Sequence, residues 1–259
     1  MLLQGKTVLV SGVGAGLGRE VVEAALGAGA NVLMCARTES TLAETARELD
    51  PDGKRTAYRS CDVVRPDDCA ALVSVGKERF GRIDSLIQVA AYEQVFGGLF
   101  ETDLETWSTA FDVNVLGAMT LLRAVVPQMK AQGGGSVVFI GSQSMFKPSL
   151  PQAGYGASKG ALLTAMYYLA DELGPDAIRV NMVVPSWMWG PAVEGFVDGQ
   201  ARAEGGTQEE VLEGIVGRFP LRRMTEDREV ADATLFFASD LSRAITGQHL
   251  LVNSGEIMR

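Results

Sequence analysis

The stretch Thr7-Val8-Leu9-Val10-Ser11-Gly12-Val13-Gly14-Ala15-Gly16-Leu17-Gly18-Arg19-Glu20 decides how this chain is read. A short β-branched run passes into alternating glycines and then into a helical pattern, which predicts strand, turn and helix in succession. Glycine suits a turn where backbone must approach a ligand closely. The helix N-terminus behind it offers free N–H groups and a positive dipole end to a pyrophosphate. Gly12, Gly14, Gly16, Leu17 and Gly18 are therefore candidate dinucleotide contacts. The spacing Gly12-x3-Gly16-x-Gly18 differs from the usual G-x-G-x-x-G, and a purely structural tight turn is the alternative.

Outward from this turn the alternation continues. Strand-like runs occur at 7–10, 31–36, 55–61, 85–89, 136–140, 178–184 and 249–252, with helical patterns near 17–28, 40–49, 66–80, 104–131, 155–173 and 227–238. Short apolar strands separated by helix-length crossovers predict an α/β fold: a doubly wound, parallel, seven-stranded sheet with helices on both faces. No repeat and no Pro/Gly/Ser-rich linker divides the 259 residues, so one domain over 1–259 is expected. The alternation lapses at 186–219, which contains Trp187, Met188, Trp189 and Phe196, and this segment is expected to cover a substrate as a lid or binding loop.

Composition narrows the partners. Hydrophobic residues make up 47% and charged residues 21%, as in a globular protein with its own core. A formal charge of -9 opposes nucleic acid, and no run of roughly 18 apolar residues suggests a membrane span. Cys35, Cys61 and Cys69 read as buried small hydrophobes in a reducing compartment, so a cytoplasmic location is expected. Neither they nor the single histidine, His249, shows zinc-ligand spacing, and no metal is expected.

The second strand ends Cys35-Ala36-Arg37-Thr38, where a carboxylate would bind the ribose 2′-hydroxyl of NAD and an arginine would accept the 2′-phosphate of NADP. Arg37, with no carboxylate at 35–37, favours NADP and leaves NAD possible. A solvated surface arginine is the alternative. Further on, Tyr155-Gly156-Ala157-Ser158-Lys159 opens a helical pattern and places a phenol and an ammonium on one face. A nearby cation favours phenolate and draws the phenol towards neutrality, giving the proton partner that carbonyl reduction or alcohol oxidation needs.

Together with Cys61-Asp62-Val63, Asn114-Val115, Gly141-Ser142, Val184-Pro185 and Ile245-Thr246-Gly247-Gln248, these motifs resemble the short-chain dehydrogenase/reductase family over essentially the whole chain. The resemblance implies a Rossmann-like fold and a hydride transferred between a nicotinamide and a small-molecule carbonyl or secondary alcohol. It implies Tyr155 as general acid/base, with Lys159 lowering its pKa and holding the nicotinamide ribose. Ser142 would bind the substrate oxygen and Asn114 would position a relay water. Asp62 and Val63 would face adenine, Ala90 would lie beside the cofactor, and Pro185 would face the nicotinamide. It also implies a homotetramer or dimer through helices 104–131 and 155–173. Gln88-Val89-Ala90-Ala91, Pro185-Ser186 and Asn253-Ser254-Gly255 depart from the family pattern, which puts the local loop geometry in question.

Loops beyond the strands' carboxyl ends carry the expected substrate contacts Gln94, Gln143, Met145, Phe146, Trp187 and Trp189. Their character suggests a bulky, largely apolar substrate, steroid-, terpenoid- or acyl-like. Two rivals remain. One is a non-catalytic NADP-binding regulator or scaffold. The other is a serine hydrolase using Ser158, because Gly156-x-Ser158-x-Gly160 fits a nucleophile elbow with His249 downstream. Pro148 and Pro151 just upstream argue against the strand such an elbow needs.

Overall fold

The computed structural model describes residues 1–258. Along the chain run β1 (Thr7–Ser11), α1 (Leu17–Gly27), β2 (Asn31–Ala36), α2 (Glu39–Leu49), β3 (Thr56–Ser60) and α3 (Pro66–Phe80). Then follow β4 (Ser85–Gln88), α4 (Leu104–Phe111), α5 (Ala118–Ala131), β5 (Gly135–Ile140), α6 (Ala153–Leu173) and β6 (Ile178–Pro185). The chain continues through α7 (Pro191–Glu204), α8 (Gln208–Val216), α9 (Asp227–Ala238) and β7 (His249–Val252). The strands form one parallel sheet in the order β3-β2-β1-β4-β5-β6-β7. The winding reverses between β1 and β4, and a crevice opens at the carboxyl ends of these two strands.

Strand periodicity divides the core in two. Val8, Val10, Val32, Met34, Ile87 and Val138 pack under α1 and α9 with Val21, Val22, Val230 and Leu235. The alternate residues Leu9, Leu33, Leu86, Val137 and Phe139 pack under α3, α5 and α6 with Leu72, Leu121, Val125, Leu162 and Met166. Each central strand is thus buried on both faces, which is why it reads as a continuous apolar run. Leu104–Ala131 is long and apolar enough by composition to cross a membrane. Here Leu121, Leu122, Val125 and Met129 of that stretch are committed to the second core.

Local chemistry sets the boundaries. α3 begins with Pro66, Asp67 and Asp68 and ends on Gly81 at φ 74°, the left-handed exit that glycine takes without strain. Segment 186–219 differs from the expected loop: it holds α7 and α8, with Pro191 in the first turn of α7, Gly205 at φ 69° after it, and a Thr207–Glu210 capping box opening α8. Gly195, Gly199 and Gly214 blur the helical pattern in the sequence. No residue of α8 is buried, so its apolar periodicity is weak.

Candidate active site

The β1–α1 turn shows why glycine is needed in it. Gly12 has φ 79°, and a Cβ there would lie 2.3 Å from the Ala90 nitrogen after β4. A Cβ at Gly18 would lie 2.3 Å from the Gly12 oxygen, so β1, α1 and the β4 exit are locked together. Gly14 faces open space, with nothing within 4 Å of a Cβ. Gly16, the N-cap of α1, has no side-chain cap. The free N–H groups of that helix end therefore face a cavity of about 950 Å³.

This cavity runs the length of the crevice. Its nucleotide end is lined by Gly12, Gly14, Gly16, Leu17, Gly18, Arg37, Asp62, Val63 and Ala90, and its other end by Ser142, Tyr155, Lys159 and Pro185. Arg37 is exposed and makes no ion pair among the described residues. Cys35 and Cys61 also line the nucleotide end, and Cys61 Sγ lies 4.0 Å from Cys69 Sγ. At the Gln88 departure in β4 the Ser11 hydroxyl donates to Gln88 Oε1 at 2.7 Å and the Ala90 N–H donates to the Ser11 carbonyl, while the buried Gln88 Nε2 has no partner among the described residues. A glycine cradle, an uncapped helix end and a free guanidinium suit a dinucleotide. Gly14 and the α1 N-terminus would hold its pyrophosphate and Arg37 its ribose.

Tyr155 and Lys159 project from the same face of α6, with Nζ 5.7 Å from the phenol ring centroid. Lys159 is buried and donates to the Ile140 carbonyl at 2.8 Å. Removal from water lowers its pKa to about 8, with the Glu93 carboxylate acting in the opposite direction. The expectation that this ammonium draws the phenol down is not met. Burial pushes Tyr155 above its ordinary value, Glu93 pushes the same way, and only a hydrogen bond with Ser142 opposes them. Ser142 also accepts from the Ser144 hydroxyl at 2.9 Å.

Asn114 stands in a π-helical turn, Asp112–Gly117, between α4 and α5. Its amide is fully engaged. Oδ1 accepts from the Tyr92 N–H at 2.7 Å, while Nδ2 donates to the Tyr92 carbonyl and to Ser158 Oγ, each at 2.9 Å. The side chain therefore fixes the β4–α4 loop, and both its amide hydrogens are spent before any relay water. Ser158 lies within α6, buried, donating to the Tyr155 carbonyl at 2.7 Å. His249 meets the Tyr167 hydroxyl and the Phe146 ring instead. A nucleophile elbow is thus corrected to an ordinary helical serine.

Of the expected substrate contacts, Gln143 and Trp187 line the cavity, and Trp187 packs on Phe196 with ring centroids 5.3 Å apart. Gln143 is buried and accepts from Asn253 Nδ2 at 2.7 Å. Four others lie outside the lining. Gln94 faces solvent, Met145 packs on the second core, Phe146 leans on His249, and Trp189 is held outward as its N–H donates to the Thr225 carbonyl. Lining residues that the sequence did not single out are Ser144, Ser149, Leu150 and Gln152 before Tyr155, and Asp227 beside Gly16. The usable signal was proximity in the chain to Ser142 and Tyr155. The Ser186 departure is also absorbed: its hydroxyl bonds buried Glu256, which pairs with Lys147 at 2.8 Å.

Sheet, switch point and glycine cradle define a dinucleotide-binding α/β protein. A family profile described as Enoyl-(Acyl carrier protein) reductase matches residues 12–256. The chain is 30% identical over 253 residues to Dehydrogenase/reductase SDR family member 4 of Homo sapiens, covering 98% of this chain and 88% of the relative. It is 32% identical over 251 residues to L-fucose dehydrogenase of Bos taurus, covering 97% and 89%. Its structure matches that of NAD+-bound xylitol dehydrogenase with a TM-score of 0.90 at 27% identity, covering 98% and 100%. This chain belongs to the short-chain dehydrogenase/reductase family and is an NAD(P)-dependent oxidoreductase.

Proposed function

We propose that the protein reduces a carbonyl, or oxidises the corresponding secondary alcohol, on a bulky and largely apolar substrate, with NADP preferred over NAD. The supporting observation is that the Tyr155 phenol, Ser142 and Lys159 share one cavity with the glycine cradle and Arg37. A bound nicotinamide dinucleotide supplies the hydride donor or acceptor. Tyr155 gives its proton to the carbonyl oxygen as charge builds there, and Ser142 donates a hydrogen bond to the same oxygen. Burial and the Glu93 charge hold the phenol above its ordinary value, so Tyr155 carries the proton at neutral pH, while its hydrogen bond with Ser142 acts in the opposite direction. Lys159 fixes the Tyr155 surroundings through the Ile140 carbonyl, and Asn114 fixes the loop opposite through Tyr92.

Tyr92, Phe96, Leu150, Trp187, Val193 and Phe196 support an apolar substrate. Ser144, Ser149 and Gln152 support a second reading, a polyol, in keeping with the names of L-fucose and xylitol dehydrogenase. The test follows nucleotide absorbance with NADPH and a panel of hydrophobic ketones, alongside xylitol and L-fucose with the oxidised nucleotide. Tyr155→Phe is expected to lower kcat by about 10²–10⁴-fold. Arg37→Ala is expected to raise KM for NADPH by roughly tenfold, the equivalent of ~1.4 kcal/mol, with a smaller effect on NADH. Nucleotide binding with no turnover of any ketone or polyol would instead identify a binding module.

A further inference from the structure

We propose that Glu93 makes this site selective for substrates that carry a cationic group, such as a protonated or quaternary amine, beside the reacting carbonyl or alcohol. The proposal rests on the hydride-transfer reading above and adds a substrate class to it.

The backbone at Glu93 is held in place, and its exposed side chain is among those lining the cavity. The preceding residue, Tyr92, is clamped through both backbone groups by the Asn114 amide. The Glu93 carbonyl accepts from the Val95 N–H at 2.8 Å and from Gln152 Nε2 at 3.4 Å, and Gln152 is the N-cap of the helix that carries Tyr155. Two anchors therefore hold the Glu93 backbone near the start of α6, and its side chain lines the cavity that also contains Ser142, Tyr155 and Lys159.

The carboxylate there makes no ion pair or side-chain hydrogen bond among the described residues. It lines the same cavity as Tyr155 and Lys159, and its negative charge pushes the pKa of each upward. Its field holds the proton on Tyr155 more tightly, which opposes proton transfer to a developing alkoxide. A neutral ketone or a polyol leaves that charge uncompensated. A substrate cation beside Glu93 offsets it, so the same contact that binds the substrate relieves the hindrance to the proton step. Tyr92, Phe96, Trp187 and Phe196 in the same lining provide the aromatic faces that favour an alkylammonium over an anion.

The probes are three cyclohexanones of matched shape. One carries a gem-dimethyl carbon opposite the carbonyl, the second a quaternary dimethylammonium nitrogen at that position, and the third a carboxylate. Binding to the NADP-loaded protein is measured by ligand-observed NMR titration, and turnover is followed separately. The wild type is expected to bind the ammonium probe roughly fivefold more tightly than its carbon isostere, the scale of a partly solvated charge contact. Glu93→Gln is expected to remove that difference and to raise kcat/KM for the neutral ketone. Glu93→Lys is expected to shift the preference to the carboxylate probe. Equal binding of the first two probes by the wild type, or a preference that survives Glu93→Gln, overturns the proposal. So does an effect of Glu93→Gln confined to KM for xylitol, which marks the carboxylate as a hydroxyl acceptor. Turnover unaffected by Tyr155→Phe overturns the hydride-transfer reading instead, and leaves the binding result to decide the role of Glu93.

Discussion

At the scale of single residues, Lys159 gives the site a measurable cost. Its folded-state pKa of about 8 lies below the ordinary lysine value because burial disfavours the ammonium. Below pH ~8 both folded and unfolded chains hold the proton, and the folded state carries the full penalty. Between pH ~8 and ~10.4 the unfolded chain binds a proton that the folded chain has shed, so this group makes stability rise with pH across that window. Urea unfolding of the wild type near pH ~7.5 and ~9.5 is expected to show this rise, and Lys159→Met is expected to lack it. An identical slope in the variant would mean that Lys159 titrates as a solvated lysine. The comparison uses slopes because the variant also removes the partner of the Ile140 carbonyl.

At the scale of elements, the β1–α1 turn separates two duties of glycine. Gly12→Ala places a Cβ 2.3 Å from the Ala90 nitrogen, against backbone, at φ 79°. A loss of ~2–4 kcal/mol and a lower melting temperature are expected. Gly14→Ala meets nothing within 4 Å, so stability should stay within ~0.5 kcal/mol while KM for the nucleotide rises. Thermal unfolding and nucleotide titration of the two variants check the contrast; a destabilised Gly14→Ala would show that this turn is held by packing throughout. The sequence announced β1 and α1 through their apolar pattern around the glycine turn, and α3 through its Pro66 start and Gly81 exit. It hid α7 and α8, whose interior glycines weaken propensity and whose apolar stripe is thin, although Thr207 and Glu210 already spelled a capping box. The Tyr155–Lys159 spacing was legible because both share one helix. The engagement of Asn114 with Tyr92 was not, since it joins segments that only the folded chain brings together.

At the scale of the whole molecule, the long helices divide their apolar residues between two uses. Leu122, Val125, Leu162 and Met166 fill the second core, whereas Leu116 is 57% exposed and Tyr168 75% exposed. The homo-oligomer proposed from the sequence would cover that outer face. Light scattering is expected to give a dimer or tetramer mass for the wild type and a monomer mass for the Leu116→Glu, Tyr168→Glu double variant. A wild-type monomer at micromolar concentration would leave these side chains as ordinary surface.

The three clustered sulfurs bear on how the molecule can be watched. Cys35 and Cys61 border the nucleotide end of the cavity, and neither belongs to the group that moves the proton. Both thiols are buried, so their carbamidomethylation by a small haloacetamide, read residue by residue in a mass spectrometer, requires the fold to open locally and should slow as bound nucleotide makes that opening rarer. The polypeptide thus carries an intrinsic occupancy gauge that needs neither chromophore nor substrate, and it can rank nucleotides before any ketone has been found.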